Sequence, residues 1–302
     1  MAETMKRGAT LYVRALNGRF YRALYRHRTI RVMEEDWDNL ILLDACRHDM
    51  FARHNTIPGE LRAVYSRGSN TNQFLKENFQ GRYFGDTVYV TANPLVDYHV
   101  PDAFYKIVPV WRRGWHEPFG TVLPGTVFEY AREAQARYKD KRLIVHFMQP
   151  HFPFIGEKSR AMIGEHEGIL SRNYFYGGET EHTQDVWKLF RAGRLTRDQV
   201  WRAYEENLDI VLDKARALVE TLRGKTVISS DHGNLFGQWS FPLPLRIYGH
   251  PANFYHPDLI RVPWLVVAAR ARRRIRAEER PETVGRRDGE EYADKLRSLG
   301  YV

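Results

Sequence analysis

Two apolar rhythms alternate along this chain. Short unbroken apolar runs recur at residues 40–43 (Leu-Ile-Leu-Leu), 88–92 (Val-Tyr-Val-Thr-Ala), 143–148 (Leu-Ile-Val-His-Phe-Met), 225–230 and 262–268. Runs of that length, bounded by polar and turn-forming residues, predict strands buried on both faces. Between them the spacing changes to a helical one. From Asp198 to Arg223, the residues Trp201, Tyr204, Leu208, Val211, Leu212, Ala215, Leu218 and Leu222 share one face. Strands alternating with helices predict an α/β fold, a three-layer sandwich around a largely parallel sheet.

The ends of the chain follow other patterns. Residues 5–31 place Lys6, Arg7, Arg14, Arg19, Arg22, Arg26, Arg28 and Arg31 among Leu11, Tyr12, Val13, Leu16, Phe20, Tyr21, Leu24 and Tyr25. That is a basic amphipathic helix. The preferred reading packs its apolar side on the main domain; the alternative is peripheral contact with an anionic membrane surface. Residues 155–195 are polar, rich in Gly, Glu and His, and poorly periodic, which predicts a lid-like insertion. A basic run, Arg270 to Arg276, precedes a charged stretch and a short terminal helix at 290–299. The division expected is a basic arm at 1–35 and one α/β domain at 36–302.

Composition narrows the partners. The chain has 302 residues, 43% hydrophobic and 13% aromatic, enough for a sizeable core. Its 46 Lys and Arg against 37 Asp and Glu give a net charge of +9, which favours anionic partners. No aromatic-basic RNA motif or zinc-finger spacing points to nucleic acid. The single Cys46 excludes an internal disulfide and a cysteine-based metal cluster. With no signal-peptide core and no apolar stretch of spanning length, the expected location is cytoplasmic, with peripheral membrane contact as an alternative. The oligomeric state is not readable.

Polar groups cluster where the apolar runs stop. Asp44 ends the first run, His151 follows Pro150, and Val227-Ile228-Ser229-Ser230 runs into Asp231-His232-Gly233. The carboxyl edge of an α/β sheet is where such proteins build sites. Asp and His side by side suit a divalent ion, and a His ligand beside hard oxygens leans toward zinc or manganese over magnesium or calcium. Ser66-Arg67-Gly68-Ser69-Asn70-Thr71 is a hydroxyl-rich turn ahead of a helical segment. At a helix start Thr71 meets free N–H groups and the positive dipole end. If Asp44, Asp231 and His232 hold an ion, Thr71 completes the set as a ligand with a lowered pKa and becomes a nucleophile. Taken singly, each residue favours the plainer reading, Ser69 and Thr71 as helix caps and Asp44 as a satisfied acceptor.

In combination these pieces resemble the alkaline phosphatase superfamily, in its sulfatase-like branch. The resemblance rests on Leu43-Asp44-Ala45, Gly68-Ser69-Asn70-Thr71, Pro150-His151-Phe152-Pro153-Phe154, Ser230-Asp231-His232-Gly233 and Tyr248-Gly249-His250-Pro251. Leu296 to Tyr301 adds a weaker piece, and the whole covers roughly residues 36–302. It implies metal ligands at Asp44, Thr71, Asp231 and His232, a nucleophile at Thr71, and His151 beside the transferred group. Arg47, Asn72 and His250 are then candidates for substrate contacts, with a second metal as the alternative for His250. The Cys-x-Pro-x-Arg pattern of type I sulfatases is missing, which argues against formylglycine chemistry. The Asp-x-x-x-His of two-metal members is missing too, with His182 and Asp185 as weak substitutes.

The expectation is a metal-dependent enzyme that transfers or hydrolyses phosphoryl or phosphodiester groups through threonine. Its substrate would be an anionic ester. Sulfate-ester hydrolysis without formylglycine is one alternative, and a non-catalytic protein that binds glycan or lipid phosphates is another.

Overall fold

Leu40, Ile41, Leu42 and Leu43 are fully buried in the computed structural model, so β1 (Asn39–Asp44) is covered on both faces. Each such side chain removed from water is worth about 1.5–3 kcal/mol, which places this strand at the centre of a sheet. The structure describes residues 2–163 and 186–280. After β1 come β2 (Glu60–Tyr65), β3 (Phe84–Thr91), β4 (Phe104–Pro109), β5 (Trp115–His116), β6 (Thr121–Val122) and β7 (Arg142–Pro150). Then follow β8 (Thr226–Ser229), β9 (Leu235–Ser240), β10 (Leu245–Gly249) and β11 (Arg261–Val267).

Seven of these strands form the main sheet, in the order β2-β11-β8-β1-β7-β3-β4. β1 runs parallel to both β7 and β8, and β3 runs parallel to both β7 and β4. β11 is antiparallel to β8 and to β2, so it alone is reversed. Helices flank the sheet, and the protein is the largely parallel α/β sandwich that the alternating pattern predicts. All five apolar runs are sheet strands. The edges, β2 and β4, are half exposed and carry no such run, so the hydrophobic pattern misses them.

The long helix Arg197–Thr221 starts at a capping box: Thr196 accepts from the Gln199 N–H, and Gln199 accepts from the Thr196 N–H. Val200, Tyr204, Leu208, Val211, Ala215 and Leu218 bury its inner face. Of the 155–195 segment, residues 164–185 lie outside the described residues, together with His182 and Asp185. The same is true of the expected helix at 290–299 and of Leu296 to Tyr301. The flanks that are described are helical, Glu157–Ile163 and Val186–Arg191, where the poor periodicity suggested none. Glu206 of the long helix accepts from the N–H and hydroxyl of Ser159, and Trp187 packs on Phe152 and Phe236.

The N-terminal helix, Ala2–Tyr25, packs on the β9–β10 hairpin. Asn17 donates to Ser240 Oγ and Leu243 O, and Tyr21 OH accepts from the Phe241 N–H. Tyr21 joins a small apolar cluster with Leu235, Ile247, Phe254 and Tyr255.

Candidate metal centre and active site

Because β8, β1, β7 and β3 are parallel neighbours, their carboxyl ends lie side by side. Each delivers a polar residue to the same edge: Asp231 and His232 after β8, Asp44 from β1, His151 after β7 and Asn93 after β3. Thr71 comes from the start of the helix Thr71–Phe79. Asn70 caps that helix, its Oδ1 accepting from the Gln73 N–H at 2.8 Å. Gly68 makes the tight turn possible, since a Cβ there would collide with the backbone of Phe74.

Four residues singled out in the sequence meet at one point. The Thr71 hydroxyl donates to Asp231 Oδ2 at 2.7 Å and lies 3.2 Å from His232 Nε2 and 3.5 Å from Asp44 Oδ2. His232 Nε2 lies 3.4 Å from Asp231 Oδ2 and 3.6 Å from Asp44 Oδ1. His232 Nδ1 donates to Gly233 O at 2.7 Å, which leaves Nε2 as the lone-pair nitrogen facing the carboxylates. Asp231 Oδ1 is held from behind by the N–H groups of Ala45 and His232. Ala45 has a left-handed backbone, φ 58°, a conformation costing about 1–2 kcal/mol outside glycine, and it turns that N–H onto Asp231.

Two further residues belong to this centre that the sequence reading passed over. His146, inside β7, has Nε2 3.9 Å from both Asp44 Oδ2 and Asp231 Oδ2, with Nδ1 3.0 Å from Tyr89 OH. Asn93 donates to Asp44 Oδ2 at 2.9 Å. The available signals were a lone imidazole in an otherwise apolar strand and an amide directly after one.

The group fits a divalent cation. The donor atoms of Asp44, His146 and Asp231 all lie within 4.8 Å of one another. Among the described residues, buried Asp44 Oδ1 and His146 Nε2 have no hydrogen-bond partner, and both aim at this point. Burial, with the adjacent Asp231 charge, pushes the Asp44 carboxyl well above the usual range. Burial also opposes charge on Asp231, but His232, His146, the Ala45 N–H and the Thr71 hydroxyl outweigh it and hold that carboxyl low. A cation between them would let both carry charge.

His151 and His250 stand one step outward, with their Nε2 atoms 3.0 Å apart. Burial pushes His151 down to about 4 and His250 well below its ordinary value, so both imidazoles are neutral near pH 7. His151 Nδ1 donates to Phe152 O at 2.7 Å, so its Nε2 accepts and the shared hydrogen belongs on His250 Nε2. With Asn70, Asn72, Asn93 and Met148 they line a narrow cleft over Asp44 and Thr71. Asn72 stands on the wall of this cleft.

Arg47 does not. Its guanidinium is tied to Asp49 at 2.7 Å, to Asp258 at 3.2 Å and to Asn234 O, and it is absent from the cleft lining. It links the loop after β1 to the loop after β8 and to the short helix Pro257–Ile260. Ser69, the other hydroxyl of the turn, donates to Pro251 O at 2.8 Å and faces away from the carboxylates.

No family model matches the chain, and no curated protein matches it. Among solved structures it is similar to the integral membrane lipooligosaccharide phosphoethanolamine transferase A of Neisseria meningitidis. The identity is 12% and the TM-score 0.48, over 77% of this chain and 47% of that one. The chain thus spans about half the length of that transferase. It is also similar to the C-terminal periplasmic domain of EptC from Escherichia coli in complex with Zn, with 13% identity and TM-score 0.46, over 77% and 72% of the two chains. A protein in the alkaline phosphatase superfamily from Vibrio parahaemolyticus gives 14% identity and TM-score 0.42, over 79% and 61%. These proteins are what the chain is similar to; the roles assigned to its residues rest on its own distances.

Proposed function

We propose that this chain is a metal-dependent phosphoryl or phosphodiester transfer enzyme of the alkaline phosphatase superfamily, with Thr71 as nucleophile. One observation carries the reading. A hydroxyl at a helix N-terminus hydrogen-bonds a buried carboxylate at 2.7 Å, inside a set of two carboxylates and two imidazoles. A threonine serving only as a cap would bond the helix backbone, and here Asn70 already does that.

Asp44, Asp231, His232 and His146 would hold the ion, and the bound ion would supply Lewis acidity that lowers the Thr71 pKa and offsets charge on the ester. The residues of the chain carry the rest. The hydrogen bond to Asp231 Oδ2 orients the Thr71 hydroxyl, whose proton passes to water in the cleft. The Thr71 Oγ1–phosphorus bond forms as the ester oxygen–phosphorus bond breaks. The N–H groups at the start of the Thr71–Phe79 helix face the developing negative charge. The leaving oxygen accepts a hydrogen bond from the neutral His151–His250 pair as its charge develops, and water supplies its proton. Water or an acceptor alcohol then releases the group from Thr71.

Metal analysis of the purified protein, with turnover of aryl phosphate monoesters, diesters and an aryl sulfate, tests the reading. The expected result is stoichiometric zinc or manganese and turnover of phosphate esters that chelation abolishes. Turnover of the sulfate alone would replace the phosphate assignment. A metal-free protein with no turnover would leave anion binding as the function.

A further inference from the structure

Seven large hydrophobic side chains are exposed among the described residues: Leu11, Tyr12, Phe20, Leu24, Trp239, Phe241 and Leu243. They are not scattered, as single exposed apolar residues usually are. Four lie on the N-terminal helix and three at the turn of the β9–β10 hairpin packed against it.

Helical spacing explains the first group. Exposed Tyr12, half-buried Leu16, and exposed Phe20 and Leu24 follow one another at four-residue steps and form a stripe. Phe20 and Leu24 are 40% and 43% exposed. The stripe adjoins Asn17 and Tyr21, which turn inward. Those two residues grip the backbone of the hairpin turn through Ser240, Phe241 and Leu243. The turn is thus a fixed projection that presents Trp239, 51% exposed, and Phe241, 58% exposed, beside the stripe.

The two segments that carry these side chains hold charge of one sign. No Asp or Glu occurs between Glu3 and Glu34, nor between Asp231 and Asp258. Arg14, Arg19 and Arg22 are exposed on the helix, and Arg246 lies over the Trp239 ring at 5.0 Å. Tryptophan and phenylalanine beside arginine, on segments free of carboxylate, match the headgroup region of an anionic bilayer. A protein partner of ordinary composition would meet this surface with carboxylates and would not need a projecting aromatic turn.

From this we infer that the N-terminal helix and the β9–β10 turn together form a docking face for an anionic membrane surface. The face adjoins the catalytic cleft. β10 leads directly into His250, and Gly18 of the helix lies against Asn253 and Phe254 of the following loop. Docking would hold the cleft close to the bilayer without any spanning segment, and among the described residues no helix is long and apolar enough to cross one.

Co-sedimentation of the full chain with vesicles tests this. Binding is expected to phosphatidylcholine vesicles containing about 30% phosphatidylglycerol and not to phosphatidylcholine alone. Raising salt from about 0.1 M to about 0.5 M should weaken it, because the attraction is screened. The triple variant Trp239→Ser/Phe241→Ser/Leu243→Ser should lose at least about tenfold in vesicle affinity, since it removes the inserting side chains. Arg19→Glu/Arg22→Glu, which leaves the apolar side chains in place, should abolish the preference for anionic vesicles. Neither set of changes touches the cleft, so turnover of a soluble ester should stay as in the unchanged protein. Binding by the triple variant equal to that of the unchanged protein would overturn the inference. So would a concentration-dependent dimer that the triple variant dissolves, with no vesicle binding, because the face would then belong to a second copy of this chain.

Discussion

Burial keeps His146, His151 and His250 neutral, and a neutral imidazole has one nitrogen to donate and one to accept. What each can do follows from which nitrogen its neighbour takes. Phe152 O takes Nδ1 of His151, so the hydrogen between His151 and His250 is the one available to a leaving oxygen. Replacing either histidine by Ala should therefore slow an alkyl ester by about 10²-fold or more, and a nitrophenyl ester far less. Rates plotted against leaving-group pKa would read this directly, and equal losses on both substrates would make the pair a binding element instead. At this scale the sequence was legible where a polar residue ends an apolar run. Asp44, Thr71, Asp231 and His232 were found that way, and they are the ones the structure brings together. His146 was hidden because strand periodicity reads it as one more position of a buried run. Arg47 looked available because an arginine beside an expected ligand attracts an anion-binding reading, and nothing in the chain announces that Asp49 and Asp258 occupy it.

The elements were legible in proportion to how buried they are. The central strands carry uninterrupted Leu, Ile and Val because both faces meet other layers. β2 and β4 have solvent on one edge, so Glu60, Arg62 and Lys106 are tolerated and the apolar signal disappears. The long helix illustrates the limit at boundaries. Its apolar face was clear from Trp201 to Leu222, but the cap at Thr196 lies ahead of that face. Thr196→Ala should cost about 1 kcal/mol, because the Gln199 N–H loses its acceptor, whereas Thr196→Ser should cost much less. Urea denaturation measures both, and equal stabilities would show that solvent satisfies this end equally well.

On the scale of the whole molecule, the basic run after Ala269 does structural work. Arg272 bonds Asp36 and Asp38, Arg273 Nη2 bonds Asp38 O and Asn39 Oδ1, and Lys141 bonds Arg276 O and Glu278. The run ties the segment after β11 across the amino ends of β1 and β7, opposite the edge that carries Asp44 and Asp231. Part of the positive charge that the composition offers to partners is therefore spent inside the fold. Hydrogen bonds from Arg272 and Lys225 hold the Asp36 carboxyl at about 2. Burial opposes charge on Asp38, but Arg272 and the Lys225 N–H outweigh it and keep that carboxyl low too. The unfolded chain takes up these protons near pH 4, before the folded one does. The stabilisation is therefore complete above about pH 4 and is lost as pH falls toward 2. Arg272→Met should be less stable than the unchanged protein at neutral pH, with the gap narrowing below about pH 4 in denaturant titrations. A gap that stays constant with pH would assign the loss to packing alone.

The central claim is that Thr71 forms a covalent bond to the transferred group, and acid quenching during turnover of an aryl phosphate ester tests it most directly. Trypsin cuts after Arg67 and Lys76, which isolates a segment containing both Ser69 and Thr71. Mass spectrometry of that segment should find the phosphoryl group on Thr71, and Thr71→Ala should carry none and turn over no ester, while Ser69→Ala still becomes labelled. A label on Ser69, or full turnover by Thr71→Ala, would contradict the account.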